Sequence, residues 1–394
     1  TEQGKLTMVN DFCTNPVPSW IGEVKNEDGK VLAAGCSKCH AGFGLMPSPE
    51  MSQEQLENID CLICHASGYR RDVYQNDDGE WEIRPILWKN QRGLDAISKR
   101  ITLPTRTMCL RCHSGAGGGP NFKRGDLQYD MAKGEANLDV HMAIEGNNLE
   151  CIDCHGGEDH KLKGRGADLA GPMPGTEQLE CSNCHGEEPH GVVVVDNHTD
   201  RVACTTCHIP TFAKADPTDM RRDWSTPVFH EDGNRFSADI RLESDVVPAY
   251  AWFNGMSVLQ KMGEPVEVQA DGTVAIARPL GDRDDPEARI YPFKLHEGRL
   301  PVAKDTRWIL PIGVEEFFVD GDLDKAIREG AEGAYGLHDV EWDWVDTRRW
   351  MSINHEVMPV DRALGCLDCH RDGGRMDWPA LGYEGDPLLA ELED

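Results

Sequence analysis

The sequence predicts a mainly α fold with extensive irregular loops and small β-hairpins, organised around covalently bound groups rather than one large apolar core. Three observations lead there. Seven copies of a Cys-x-x-Cys-His motif run through the 394 residues, only 39% of residues are hydrophobic against 28% charged, and few stretches sustain the period of a long helix or strand.

The motifs stand at Cys36–His40, Cys61–His65, Cys109–His113, Cys151–His155, Cys181–His185, Cys204–His208 and Cys366–His370. The two thiols suit the two vinyl carbons on one edge of a porphyrin, and the adjacent His then meets the iron as proximal ligand. Random placement of residues that each make up about 4% of the chain gives roughly 0.02 copies of the pattern. Structural zinc and a disulfide framework also use Cys-x-x-Cys spacing, but neither explains a His after every pair. The attachment residues are therefore Cys36, Cys39, Cys61, Cys64, Cys109, Cys112, Cys151, Cys154, Cys181, Cys184, Cys204, Cys207, Cys366 and Cys369, with His40, His65, His113, His155, His185, His208 and His370 on the irons. Seven haem c groups are implied: a multihaem cytochrome c fold in which porphyrins supply much of the buried apolar volume. Without haem the chain is expected to be largely unfolded.

The formal net charge of -29, to which haem propionates add, argues against nucleic acid and anionic lipid as partners. It suits a basic redox partner, either a cytochrome or a quinol-oxidising donor. No apolar run reaches the length of a membrane span, so an integral membrane protein is not expected. Haem attachment to reduced thiols takes place outside the cytoplasm, so the protein is expected to be periplasmic or extracellular, bacterial or archaeal, with Thr1 following a removed export segment. A homo-oligomer and a calcium ion among the acidic loops are left open.

Along the chain, residues 1–35 form an N-terminal segment with Cys13, the one cysteine outside the motifs. Residues 36–208 carry six motifs separated by polar, Gly-rich stretches and read as the haem-packing core, without a fixed repeat period. Within it a helix is predicted over 51–58, a hairpin from Val73 to Ile83 around Asp78-Gly79, and a helix over 91–99. Residues 209–365 are free of Cys and dense in Trp, Pro and acidic residues. Val266, Val268, Val274 and Ile276 alternate around Asp271-Gly272 as a second hairpin would, and 321–332 reads as a helix. Because the last motif comes afterwards, this segment is expected to pack on the core and supply distal histidines. Residues 366–394 hold that motif and a docked tail.

Low-spin haems need a second axial ligand, and eight histidines lie outside the motifs: His141, His160, His190, His198, His230, His296, His338 and His355. Six of these, His141, His160, His190, His198, His296 and His355, are taken as distal ligands. The methionines read as core filler.

Asn10-Asp11-Phe12-Cys13, the first motif with Ala41-Gly42-Phe43-Gly44, Ile59-Asp60-Cys61, Gly117-Gly118-Gly119, Lys123-Arg124-Gly125-Asp126-Leu127, Asp139-Val140-His141-Met142, Asn354-His355 and Asp377-Trp378-Pro379 occur in this order. With them the chain resembles the octahaem tetrathionate reductase family of c-type cytochromes from residue 9 to residue 387. The resemblance implies that the haem on Cys36, Cys39 and His40 is catalytic, that Lys123 is its axial ligand, and that Cys13 is a free thiol beside it. Two features depart from the family. Its additional upstream haem motif is not in this sequence, and Pro120 and Arg124 stand where the family has an acidic residue and a His. The first departure leaves an electron-relay centre unaccounted for; the second removes a proton-delivering carboxylate.

A Lys ligates iron only as the neutral amine, so its ligation should be weak and a substrate should displace it. The expected function is reduction of small nitrogen or sulfur oxyanions, with nitrite, hydroxylamine or tetrathionate as the small inorganic substrate, at a Lys-ligated haem fed by the others. Thiolate attack by Cys13 on a sulfur–sulfur bond is a second chemistry open to the site. The competing class is a non-catalytic electron-transfer cytochrome, a periplasmic shuttle or a subunit of an extracellular haem filament. It predicts six tightly bound ligands at every iron and Lys123 in solvent.

Overall fold

The computed structural model describes residues 9–12, 23–25, 31–34, 39–45, 52–86, 93–156, 160, 162–164 and 179–393. Cys13 and Cys36 lie outside the described residues.

The expectation of a mainly α chain is wrong. The Cys-free segment, read from sequence as mostly irregular, builds a seven-stranded mixed sheet. Two small hairpins come first: β1 (Glu23–Lys25) with β2 (Val31–Ala34), and β3 (Arg71–Gln75) with β4 (Trp81–Pro85). The second is the predicted hairpin, with Val73 opposite Ile83 and Gly79 at φ +84° in the turn. The large sheet follows with β5 (Thr218–His230), β6 (Arg235–Glu243), β7 (Ala249–Phe253), β8 (Ser257–Leu259), β9 (Val274–Pro279), β10 (Arg289–Ala303) and β11 (Trp342–Ser352). Its order is β6-β5-β10-β11-β9-β8, with β7 paired to β10. The pairs β5/β10 and β9/β11 are parallel and the others antiparallel. The hairpin expected around Gly272 shrinks to one bridge, Val268 to Val274, ahead of β9.

The central strand β10 shows why the sheet forms and why it was hidden. Ile290, Pro292, Lys294, His296, Gly298, Leu300 and Val302 alternate inward, the period-2 pattern of a half-buried strand. Two of these inward residues are ionisable. At its far end Leu300 and Val302 join Trp224, Val274, Ile276, Ile312, Phe317 and Ile327 in an apolar core. The helices Val314–Asp320 and Leu323–Tyr335 close that core, the second capped by the Asp322 side chain and ended by Gly336 at φ +64°. The expected helix over 321–332 is this second one; those over 51–58 and 91–99 appear as Gln53–Glu57 and Leu94–Ser98.

The haem motifs occupy short helical turns, among them Cys61–His65, Arg106–His113, Cys151–His155 and Cys204–His208. On a helix, residues i, i+3 and i+4 share one face, so both thiols and the imidazole of a motif point to the same side. Among the described residues no helix is long and apolar enough to cross a membrane.

Candidate haem sites and the reacting centre

Five motif histidines face a histidine from elsewhere in the chain. His65 meets His160, His185 meets His141, His155 meets His355, His208 meets His190 and His370 meets His198, with ring centroids 6.0, 6.1, 6.1, 6.2 and 6.3 Å apart. Two metal–imidazole bonds of about 2 Å plus roughly 1 Å from each ring nitrogen to its centroid span about 6 Å, so each gap fits one iron. Hydrogen bonds orient the rings. Nδ1 of His65 lies 2.8 Å from the Thr102 carbonyl, Nδ1 of His155 2.9 Å from that of Lys163, and Nδ1 of His198 2.7 Å from that of Val194. An occupied Nδ1 leaves Nε2 for the metal.

His40 and His113 lie outside these five pairs. Of the remaining histidines, His230 places Nε2 2.7 Å from the Ser237 hydroxyl and His338 is exposed beside Glu332. His296, expected as a distal ligand, is not brought to a motif histidine. Its ring is buried, Nδ1 lies 2.9 Å from Asp11 Oδ2, and Nε2 faces Asp219 Oδ1 at 3.5 Å. Strand β10 directs it inward between the carboxylates of Asp11 and Asp219.

The attachment cysteines give the order of neighbouring groups. Cys64 lies close to Cys109 and Cys112, the thiols of Cys112 and Cys39, of Cys109 and Cys151, and of Cys181 and Cys204 are hydrogen-bonded, Cys154 lies near Cys184, and Cys207 lies near Cys366 and Cys369. The arrangement is a line from the last motif to Cys109–Cys112, where it branches to Cys39 and to Cys64.

After the third motif the loop 114–126 presents Lys123. Asn121 N–H donates to the Ser114 carbonyl at 2.7 Å and Lys123 N–H to that of Ala116 at 3.1 Å. Gly117, at φ +94°, lets the loop close: a Cβ there would stand 2.9 Å from Lys123 Cβ. Phe12 lies at the centre. Its ring stacks on His296 with centroids 4.2 Å apart, and Lys123 Nζ, Lys294 Nζ and Arg222 Cζ lie 6.0, 5.5 and 5.4 Å from its centroid. Residue 12 adjoins Cys13, so the thiol's chain neighbour is part of this group.

Around Phe12 sequence reasoning missed most of the site. Asp11 accepts from Arg349 Nε at 2.7 Å and from His296, while Trp224 Nε1 holds its carbonyl at 2.8 Å. Burial works to raise the Asp11 carboxyl, but Arg349, His296 and Lys123 outweigh it and hold the group far below the usual carboxylate range. Asp219 accepts from Arg222 Nε at 2.7 Å, and Arg222 also donates to the carbonyls of Phe12 and Gly117. Lys294 Nζ donates to Phe122 O at 2.6 Å, Lys123 O at 3.0 Å and Thr218 Oγ1 at 2.6 Å. Its ammonium is pushed down to about 7, first by burial and then by Arg124 and Arg222, against the pull of Asp219. Nearby, Asp126 binds Arg124 and also accepts from His355 Nδ1 at 3.1 Å. The signals for this group in the sequence were Asp11 within Asn10–Cys13, Arg124 and Asp126 beside Lys123, and His296 and His355 among the candidate ligands; Arg222, Asp219, Lys294 and Arg349 gave none.

Seven attachment motifs, five imidazole pairs at metal-bridging distance and a mixed sheet closing over them define a multihaem c-type cytochrome. A family model described as bacterial cytochrome c matches residues 220–373. An uncharacterized protein of Archaeoglobus fulgidus is 35% identical over 191 residues, 40% of this chain and 62% of that protein. The crystal structure of octaheme cytochrome c from Shewanella oneidensis is similar over 98% of this chain and 86% of that one, with 31% identity and a TM-score of 0.79. The chain belongs to the multihaem c-type cytochromes: it binds haem c and iron and transfers electrons.

Proposed function

We propose that this cytochrome is a reductase of small nitrogen or sulfur oxyanions, with nitrite, hydroxylamine or tetrathionate as substrate, working at the haem on Cys36, Cys39 and His40. The observation that carries the reading is the charge around Phe12. Three buried cations, Lys294, Arg222 and Arg349, face two carboxylates, Asp11 and Asp219, while the chain as a whole carries -29. Arg349 and Arg222 each have a carboxylate partner; Lys294 donates only to two carbonyls and a hydroxyl. While Lys294 is protonated the group is thus one negative charge short, which an anionic substrate would supply.

Haem bound there supplies electrons to the substrate atom. Lys123 would be the side chain that ligates the iron of that haem, and its amine would offer the substrate a hydrogen-bond donor when not so engaged. His296, with Nδ1 toward Asp11 and Nε2 toward Asp219, is the buried imidazole able to hold and pass a proton where Pro120 has replaced a carboxylate. Cys13 would be the thiol of a sulfur–sulfur substrate reaction. The complement of seven haems, His296's redirected ring and the line of cysteines suit a relay feeding that centre from a basic redox partner, in an exported protein.

Film voltammetry with nitrite, hydroxylamine and tetrathionate tests this, with Lys123→Leu beside the parent. A catalytic current that changes sharply in the variant is expected. Reversible waves without catalysis, the same in both proteins, would leave an electron carrier.

A further inference from the structure

The hydrogen-bond partners of the paired imidazoles are not alike. A histidine that binds iron through Nε2 carries its proton on Nδ1 and donates it to whatever faces that atom. For His355 the acceptor is Asp126 Oδ2 at 3.1 Å, for His370 Asp386 Oδ1 at 2.7 Å, and for His190 Asp196 Oδ1 at 2.9 Å. His141 has Asp139 Oδ1 at 3.6 Å, the longest of the four. Asp126, Asp139 and Asp386 are 7% exposed or less, so water screens them little, and Asp196 lies nearer the surface. The fifth pair differs. His65 faces only the Thr102 carbonyl, and among the described residues no carboxylate lies within ion-pair distance of His65 or His160.

An anionic acceptor makes the imidazole a stronger donor to the iron, which favours the ferric state and lowers the potential. A neutral carbonyl does so less. We propose that Asp126, Asp139, Asp196 and Asp386 are positioning residues that lower the potentials of four bis-histidine haems. The haem on Cys61–Cys64 is then the most oxidising of the five and collects electrons. Each transfer moves one electron from a ferrous to a ferric iron, with no bond made or broken.

Its place gives that order a use. Cys64 adjoins Cys109 and Cys112, and Cys112 adjoins Cys39. The collected electron sits two steps from the haem on Cys36, off the line running to the last motif. This functional half rests on the proposed reacting centre; the potentials do not.

The test is a potentiometric titration of the holoprotein followed by magnetic circular dichroism. Asp126→Asn and Asp386→Asn should each raise one midpoint, a tenfold change in electron sharing amounting to about 59 mV. His160→Met should change the spectrum of the bis-histidine component reduced first, and His355→Met that of one reduced later. Asp196→Asn, near the surface, serves if the buried variants do not assemble. Unmoved potentials in the Asn variants, or a His160→Met change in a late component, would overturn the proposal. Loss of catalysis in Lys123→Leu with the potentials in this order would bear on the reacting centre alone.

Discussion

Asp11→Asn isolates the buried pair that docks the N-terminal segment. The substitution keeps the side chain's volume and removes its charge. In the parent, Asp11 takes Nε–H of Arg349 at 2.7 Å and faces Nδ1 of His296 at 2.9 Å, with all three side chains 1% exposed or less. An amide presents one oxygen and one N–H donor group, so only one of the two positions still accepts as a carboxylate oxygen does, while Arg349 Nη2 goes on donating to the Val9 carbonyl at 2.6 Å. Breaking one partner out of a buried pair costs about 3–5 kcal/mol. That loss should fall first on residues 9–12, whose other ties include Val9 N–H to Gln260 O at 3.1 Å, Trp224 on the Asp11 carbonyl and Arg222 on that of Phe12.

Hydrogen exchange of the Val9 amide in the holoprotein should therefore speed up by two to three orders of magnitude, about 1.4 kcal/mol per factor of ten. The effect carries a pH signature. Because the native carboxyl is depressed below its unfolded value, its stabilisation is complete above the ordinary Asp pKa of about 3.9 and is lost as pH falls through the native value. The parent's advantage over the variant should hold near neutrality and shrink below about pH 4. A change under about 1 kcal/mol, or a difference that stays constant down to pH 3, would refute a buried ion pair at Asp11.

Three other outcomes follow from the same geometry. Lys294→Met should weaken substrate-anion binding at least tenfold; in the parent, affinity measured with nitrite should fall as pH rises through about 7, where the ammonium discharges. The same depressed group makes the unfolded chain bind more protons between about 7 and its usual 10.5, so its contribution to stability rises with pH across that window. Gly117→Ala forces a Cβ against Lys123 at φ +94° and should cost about 1–3 kcal/mol while changing the absorption of one haem only. A chain expressed without haem attachment should lose the motif helices yet keep strand signal in far-ultraviolet circular dichroism, because the core of Trp224, Leu300, Phe317 and Ile327 contains no haem ligand.

That last outcome differs from the sequence expectation of a largely unfolded haem-free chain, and the reason lies in the strands. The hairpin at Val73 to Ile83 was legible because its turn is an Asp-Gly step between alternating residues. The large sheet was not, since β10 turns Lys294 and His296 inward, β11 Arg349, and β5 Asp219 and Arg222. Inward charges erase the apolar alternation by which a strand is recognised. The haem motifs were plain because their chemistry is local, with two thiols and an imidazole within five residues. The group around Phe12 was hidden because its members come from residues 11, 123, 222, 294 and 349, which strand pairing, such as His296 opposite Arg349, and contacts from the loops at Asp11 and Lys123 bring together.

The inward charges that obscured the sheet also explain what it is for. A sheet face of branched apolar residues would be more stable than one carrying Lys294, Arg222, Arg349, Asp11 and Asp219, since buried ion pairs rarely repay their desolvation. The apolar alternative appears on this same sheet, where Leu300 and Val302 continue the register of Lys294 and His296 two turns of the pleat further along β10. The strand is thus apolar at one end for stability and charged at the other, beside Lys123. A rigid strand holds its charges in place more firmly than a loop can, and prepositioned charge costs little reorganisation when an anion arrives. On the function proposed above, in a chain of net charge -29, these inward-facing cations would receive an anion while the acidic exterior suits a basic partner.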